Sequence, residues 1–352
     1  MLRPVLLQVD NFTPPTRTPW GGRWIVDQLK RDLLIPVVRE ELGVVGEAWE
    51  FSVEPSFPSR TASGNLLADL IAADPVGWLG EPAVRRFGPQ TPLLVKLLDA
   101  SANLSVQVHP DPDDPALPPE QSGKPEAWLI LHAAPGAGIW LGFRDGVTRA
   151  EVRRTIVEGG RVDELMNFIP VQAGDGFVIR PGTVHAIGAG VSLIEPQFVQ
   201  AGRRGVTWRF WDWNRRYDAE GNEDEAGQPR PLHLDRSLSV ATLDGATGEA
   251  FVQSCRAGEV VLHHGALATR RLCEEPWFRV DVLEGTGDAA LDDAPGVQAI
   301  TCTRGFARLS WDGGAIDLPA GRTAGVPAAG PEVTLLQEDA QVVRTMDGTL
   351  VA

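Results

Sequence analysis

Two of the six histidines lie in contexts that suit metal binding. Ser105, Gln107 and His109 alternate with valines, so on a strand these three polar side chains would share one face. His185 follows an apolar run and a Pro-Gly turn, which would place its imidazole at the mouth of a barrel, pointing inward. Each pattern also has a plainer explanation. The first is equally compatible with an edge strand whose polar face meets water, and the second with a buried structural histidine.

A carboxylate lies between these two segments in the chain. Glu126 opens a strongly apolar stretch, where an inward carboxylate is costly unless it is paired or bound to a metal. The alternative is a solvated carboxylate at the entry of a strand. Gln107, His109, Glu126 and His185 together offer two imidazoles, one carboxylate and one amide oxygen. This set suits Zn²⁺ with one open coordination position, and we predict Zn²⁺, although Fe²⁺, Co²⁺ or Mn²⁺ also accept such ligands.

The elements that would position these residues are short strands. Glycine and proline, 38 and 28 residues respectively, interrupt the apolar runs along the chain. This pattern predicts a mostly β fold built as a sandwich or barrel rather than a βαβ repeat. In the first 240 residues we predict strands at 48–53, 93–99, 105–109, 127–132, 138–142, 176–179, 191–195 and 207–211. A capping box from Thr148 to Glu151 predicts a helix that ends at Gly159, and a second helical stretch is expected at 162–168.

The last third of the chain has a different character. We predict strands at 277–283, 297–304, 307–311 and 333–337. The alternation of strands and turns in residues 305–327 is typical of a second, reduced jelly roll. That stretch contains no histidine, so a second barrel there would be structural. We therefore predict a catalytic domain at 1–240 and a degenerate domain of the same kind at 241–352. His263 and His264 are adjacent, which favours a loop over a metal site.

Composition narrows the class of protein. A net charge of −15 over 352 residues argues against general nucleic-acid binding. The chain has no run of eighteen apolar residues and no signal-peptide pattern at its start, so we expect a cytoplasmic protein without a membrane span. The three cysteines have no paired spacing and are expected to be buried as small hydrophobic residues. An anionic substrate would need a local cationic pocket, which makes the three lysines informative: Lys30, Lys96 and Lys124.

Several of these segments together resemble one enzyme family. Residues 105–111, 123–128, 182–188 and 207–213 occur in the order seen in type I mannose-6-phosphate isomerases, and 20–22 and 46–52 fit that family's N-terminal signatures. The resemblance covers about residues 18–240 and is closest to the shorter bacterial form. It implies tandem cupin domains, which are jelly-roll β-barrels, with a few short helices. It also implies the interconversion of mannose 6-phosphate and fructose 6-phosphate through a cis-enediol.

The resemblance also implies roles for individual residues. Metal ligands fall on Gln107, His109, Glu126 and His185, and pocket residues on Lys96, Ser105, Lys124 and Glu195. Arg209 matches the catalytic arginine, which would stabilise the enediolate. Lys96 and Ser105 would hold the phosphate. The base is left open between Glu195, Lys124 and a metal-bound water, and a lysine in an apolar run has the plainer explanation of snorkelling to the surface.

One segment departs from the family pattern. The stretch from Glu195 to Arg209 is a few residues longer and lacks the expected Ser-Asp, so Arg203 and Arg204 compete with Arg209 for the catalytic role. Arg180 adds a further cation near the pocket.

Two other functions are also compatible with the sequence. A cupin dioxygenase would need a third histidine, for which His132 is a weak candidate. A sugar-binding cupin without catalysis would need neither the metal set nor the arginine. The expected partner is a sugar phosphate, and the expected assembly is a monomer or a homodimer.

Overall fold

The computed structural model describes residues 2–219, 223–258, 261–291 and 294–348. Strands dominate, which confirms the mostly β fold. In chain order they are β1 (Val5–Leu6), β2 (Glu47–Phe51), β3 (Leu93–Ala100), β4 (Val106–Val108), β5 (Gln121–Ser122), β6 (Glu126–Ala133), β7 (Gly138–Phe143), β8 (Met166–Pro170), β9 (Gly176–Ile179), β10 (His185–Ile187), β11 (Val191–Phe198), β12 (Arg204–Gly205), β13 (Trp208–Trp211), β14 (Val261–His264), β15 (Leu267–Glu274), β16 (Phe278–Ala290), β17 (Gln298–Trp311), β18 (Gly314–Pro319), β19 (Thr323–Val326) and β20 (Thr334–Asp347).

Helices are short and few among the described residues. They are α1 (Pro36–Glu41), α2 (Leu67–Ala73), α3 (Pro75–Phe87), α4 (Arg149–Val157), α5 (Leu234–Val240) and α6 (Gly248–Cys255), together with a π-helix at Ile25–Leu29 and a 3-10 helix at Val162–Leu165. None of them has the length and hydropathy needed to cross a membrane.

Two five-stranded sheets form the first barrel. Their strand orders are β2-β3-β11-β6-β9 and β13-β4-β10-β7-β8. Every stretch predicted as a strand in this half overlaps an observed strand. Apolar side chains from both sheets share one core, in which Trp128 and Leu193 of the first sheet join Ile139 and Ile187 of the second. Burial of this shared apolar surface holds the two sheets face to face.

Helix α4 begins as the capping box predicts. The Thr148 hydroxyl accepts a hydrogen bond from the Glu151 amide, and the helix ends just before Gly159. The second helical prediction was wrong beyond its first turn. A 3-10 helix covers 162–165, and β8 then pairs with β7, with Ile139 opposite Ile169. Pairing with β7 gives one side of this segment backbone hydrogen bonds, which outweighs the weak helical pattern.

The last third forms one eight-stranded sheet in the order β1-β19-β17-β20-β16-β15-β14, with β18 paired to β17. Strand β1, from the other end of the chain, therefore lies at its edge. Buried Lys30 pairs with Glu50, whose second oxygen accepts a hydrogen bond of 2.8 Å from Thr323 of β19. Helix α6 in turn packs into the core of the first barrel. The division of the chain near residue 240 stays a prediction.

The prediction for the cysteines is confirmed, and the prediction for His263 and His264 was wrong. Cys255, Cys273 and Cys302 are free and buried, as predicted. His263 and His264 were expected in a loop, but they lie on the exposed edge strand β14. Pairing with β15 orders this strand although its side chains face water.

Candidate metal centre and active site

Strand register in the second sheet aligns three of the predicted site residues. Gln107 on β4 lies directly opposite His185 on β10, and on its other side it lies opposite Arg209 on β13. Directly opposed residues on neighbouring strands project from the same face of a sheet. Arg209, Gln107 and His185 therefore form one row across the sheet.

Register in the first sheet aligns another set. Glu195 on β11 lies opposite Lys96 on β3, and Gln197, two residues along, lies opposite Glu126 on β6. Residues two apart on a strand share a face, so these four side chains belong together. The first sheet thus contributes carboxyl groups and an amide to the site, and the second sheet contributes imidazoles.

The two sheets meet at His109, Glu126 and His185. One possible ligand atom from each lies within 4.8 Å of the other two, and all three residues are buried. This brings together three of the four predicted ligands. Gln107 lies in the row beside His185, half-buried.

Both imidazoles have their ring orientation set by backbone carbonyls. The Nδ1 of His109 lies 2.9 Å from the Val206 carbonyl oxygen, and the Nδ1 of His185 lies 2.9 Å from that of Thr183. A carbonyl can only accept, so each Nδ1 carries the proton and each Nε2 presents a lone pair. Both Nε2 atoms are buried, and neither has a hydrogen-bond partner among the described residues.

A divalent cation fits this arrangement. The His109 Nε2 lies 3.2 Å from Glu126 Oε1, so two acceptors face each other without a donor hydrogen between them. Two ligands each about 2.1 Å from a tetrahedral zinc ion stand about 3.4 Å apart. Imidazoles held by backbone carbonyls through the other ring nitrogen are typical of metal ligands. The residues therefore fit a metal, and they suit zinc among others.

The Glu126 carboxylate is surrounded by donors. Its Oε1 accepts from Lys124 Nζ at 2.8 Å and from Gln197 Nε2 at 2.7 Å, and its Oε2 accepts from Trp128 Nε1 at 3.1 Å. Burial by itself raises the pKa of Glu126, but the Lys124 ammonium and His109 lower it overall to well below its usual range. The carboxylate is thus ionised, as a metal ligand must be.

The ionisable side chains around Glu126 have pKa values that differ from their ordinary ones. Burial and the proximity of His109 lower the pKa of His185 to about 3, and burial with Lys124 lowers the pKa of His109, so both imidazoles are neutral at pH 7. Burial and the Glu126 charge raise the pKa of Glu195 well above its usual range. Burial lowers the pKa of Lys124, but Glu126 more than offsets this, so that pKa is raised.

Trp128 and Gln197 are site residues that sequence reasoning missed. The Trp128 indole nitrogen lies 3.0 Å from Glu195 Oε1 as well as 3.1 Å from Glu126 Oε2, so it joins the two carboxyl groups. Both residues lie two positions from a predicted site residue on the same strand. That period-two spacing is the signal that could have found them.

The remaining pocket residues lie around this centre. Lys96 Nζ lies 4.4 Å from the Trp49 ring centroid and 4.0 Å from Glu47 Oε1, and its side chain is buried. Ser105 is buried just before β4, two residues from Gln107. Lys96 does not snorkel to the surface, because a cation–π contact and a carboxylate hold its ammonium inside.

The three candidate arginines have different environments. Arg209 donates from Nη1 to the Pro231 carbonyl at 3.0 Å, and its Nε is buried without a hydrogen-bond partner among the described residues. Arg203 and Arg204 are exposed and line a cavity of about 490 Å³ that also includes Glu54. Only Arg209 lies in the row with Gln107 and His185, and this favours it for the catalytic role.

Two further candidates lie away from the centre. His132 is exposed and stacks on Trp24 with ring centroids 5.7 Å apart, so it does not provide a third imidazole. Arg180 forms a salt bridge with Glu275, the residue after β15, and donates to the Ser254 carbonyl at 2.9 Å.

Comparison with known proteins identifies the family. A family model for the catalytic domain of type I phosphomannose isomerase matches residues 16–134. The mannose-6-phosphate isomerase of Streptococcus mutans is 30% identical over 295 residues, which covers 83% of each chain. Mannose-6-phosphate isomerase ManA of Bacillus subtilis is 31% identical over 299 residues, 82% of this chain and 83% of that one. The chain belongs to the type I phosphomannose isomerase family.

The fold agrees with this assignment. A crystal structure of mannose 6-phosphate isomerase from Bacillus subtilis matches with a TM-score of 0.78 over 98% of this chain and 99% of that one, at 23% identity. This likeness confirms the tandem cupin fold.

In this family member, a buried ion cluster follows the arginine strand β13. Asp212 accepts from Arg215 Nη2 at 2.6 Å and from both Nε and Nη2 of Arg230 at 2.6 Å. Burial by itself raises the pKa of Asp212, but Arg230 and Arg215 lower it overall. Because Pro231, which follows Arg230, accepts from Arg209, the cluster fixes the segment against which the Arg209 guanidinium rests.

Replacing Asp212 by Asn is expected to lower the free energy of unfolding by about 3 kcal/mol at pH 7, because two guanidinium groups lose a buried counter-charge. A carboxyl whose pKa is lowered by folding stabilises the fold above its unfolded pKa, and this contribution is lost as the pH falls through the folded pKa. The difference between the two proteins should therefore shrink below about pH 4. Urea unfolding at pH 7 and pH 3 measures both values.

The control for this prediction is Asp235→Asn, because the Asp235 side chain is 85% exposed and pairs only at the surface. Its effect should stay within about 0.5 kcal/mol at both pH values. Equal stability of D212N and the unmodified protein at pH 7 would contradict the structural role given to Asp212.

Proposed function

We propose that this protein interconverts mannose 6-phosphate and fructose 6-phosphate in a metal-dependent reaction. The observation that carries the proposal is the pair of buried imidazoles whose unpartnered Nε2 atoms face the ionised Glu126. Two lysines and an arginine around this group match the needs of an anionic substrate. The names of the relatives, over most of the chain, support the same reaction.

The metal would be held by His109, Glu126, His185 and Gln107, and we propose Zn²⁺. A bound divalent cation supplies a Lewis acid that polarises the sugar carbonyl and orients the two oxygens of the reacting carbons. Gln107 completes the set because it lies between His185 and Arg209 in the strand register.

The protein's own residues carry the proton transfer. Isomerisation removes the proton from C2 of the open-chain aldose, passes through a cis-enediol and returns a proton to C1. We assign this transfer to Glu195, because the Trp128 indole joins its carboxyl group to that of Glu126 and so places it beside the residues that would hold the metal. Lys124, whose pKa is raised by Glu126, stays an ammonium and donates to a substrate oxygen. Arg209 stabilises the enediolate charge.

The phosphate end is assigned to Lys96 and Ser105. Lys96 lies opposite Glu195 on the neighbouring strand, so an anchor there keeps the reacting carbons near the proton carrier. The chain has three lysines, and two of them flank this centre. Because its substrate is a sugar phosphate, we propose that the enzyme works in the cytoplasm. We propose separately that it is a monomer or a homodimer.

The test is formation of fructose 6-phosphate from mannose 6-phosphate, followed together with metal content before and after chelation. We expect about one metal ion per chain, loss of turnover on chelation and its return with Zn²⁺. Glucose 6-phosphate and unphosphorylated mannose are the matched substrate controls and should turn over far more slowly. Metal-loaded protein without turnover would contradict the isomerase. Turnover that consumes oxygen would favour a dioxygenase, and sugar binding without turnover would favour a binding protein.

A further inference from the structure

We propose that Gln197 is a positioning residue of the metal centre, which holds the Glu126 carboxylate in the orientation that binds the cation. The inference rests on the metal site proposed above. Gln197 on β11 lies directly opposite Glu126 on β6, and it is 0% exposed. Its Nε2 donates to Glu126 Oε1 at 2.7 Å.

The amide of Gln197 is satisfied at one end only. Its Oε1 is buried and has no hydrogen-bond partner among the described residues. A carboxylate accepts but cannot donate, so the Nε2 end must be the one that faces Glu126. Buried polar atoms are rarely left unpaired in folded proteins. Gln197 keeps this orientation although its Oε1 is unpaired. We therefore infer that the hydrogen bond from its Nε2 to Glu126 holds the side chain in place.

The other donors to Glu126 have additional roles. Lys124 carries a charge that the proposed chemistry uses, and Trp128 is shared between Glu126 and Glu195. Gln197 is neutral, and its described side-chain hydrogen bond goes to the metal ligand. Hydrogen-bond partners that orient metal ligands typically change metal affinity by 10-fold to 100-fold. Loss of the Gln197 amide should therefore weaken metal binding more than it slows the chemistry of loaded enzyme.

The test is the zinc dissociation constant of Gln197→Leu and Gln197→Met, measured on the full chain by competition with a chromophoric zinc chelator. We expect binding roughly 10-fold to 100-fold weaker than in the unmodified protein. At saturating zinc, kcat should return to nearly its unmodified value. The matched control is Gln337→Leu on β20 of the eight-stranded sheet, where a buried amide donates to the Leu283 and Ala340 carbonyls at 3.3 Å.

The control variant should lose thermal stability without losing zinc affinity, which separates positioning from a general loosening of the fold. An unchanged dissociation constant in Q197L, or in Q197M should the leucine variant fail to fold, would overturn the role of Gln197. A control that weakens binding equally would overturn it as well. If the unmodified protein binds no zinc, the metal site itself falls, and the role of Gln197 falls with it.

Discussion

Glu126→Gln is expected to lower zinc affinity and turnover by about 10³-fold each. The substitution keeps the size of the side chain and removes one negative charge. The two imidazoles are neutral because burial lowers their pKa values, so Glu126 is the charged member of the ligand group His109, Glu126 and His185. Without it, the Lys124 ammonium loses the carboxylate that lies 2.8 Å away and repels a cation in the site more strongly.

Metal content by atomic emission and initial rates with mannose 6-phosphate measure this prediction. Glu158→Gln is the matched control, because it makes the same chemical change at an exposed position after helix α4. Its metal content and turnover should be unchanged. Full metal occupancy and full turnover in E126Q would remove Glu126 from the ligand set and, with it, the metal centre as described.

Arg209→Ala is expected to lower kcat by roughly 10²-fold to 10³-fold while leaving metal content unchanged. The guanidinium is fixed before substrate arrives, because its Nη1 donates to the Pro231 carbonyl and its Nε is buried in the row that includes His185. A fixed positive charge stabilises the enediolate without reorganisation during the reaction. Arg209→Lys should recover little activity, since an ammonium on a flexible chain does not reproduce the planar guanidinium.

The matched controls are Arg203→Ala and Arg204→Ala, which make the same truncation at exposed positions in the longer segment before β13. Each should leave kcat within about threefold of the unmodified value, a change of less than about 1 kcal/mol in activation free energy. A larger loss of kcat in R204A than in R209A would reverse the assignment and give the catalytic role to the longer segment.

Local sequence patterns predicted the elements well. The alternation of Ser105, Gln107 and His109 with valines and the capping box at Thr148 both correspond to observed structure. These signals act over a few residues, where strand alternation or helix capping decides the conformation. The segment 162–168 failed for the converse reason, since pairing of β8 with β7 is a tertiary contact that a weak helical pattern does not report.

The residue types suggested one shared metal site, but the sequence does not show how its residues converge. Glu126 had two explanations in the sequence, inward or solvated, and the pairing of β6 with β9 and β11 decides between them. Gln197 and Trp128 looked like ordinary members of apolar strands. Gln197 matters because it faces Glu126 across the sheet, and Trp128 because its indole also reaches Glu195 on β11; both contacts depend on the register between distant segments.

Strand β1 also constrains how the chain can be made. Val5 and Leu6 pair with Gly325 and Ala324, so this edge of the sheet cannot form until the segment around residue 325 has been synthesised. The hydrogen bond from Thr323 to Glu50 likewise cannot form until residue 323 has been synthesised. Pairing over such a separation is slow and leaves an unpaired edge exposed meanwhile. A chain that ends before residue 323 would contain the proposed site residues but would leave strand edges of the eight-stranded sheet unpaired, and we expect it to aggregate unless a chaperone binds it.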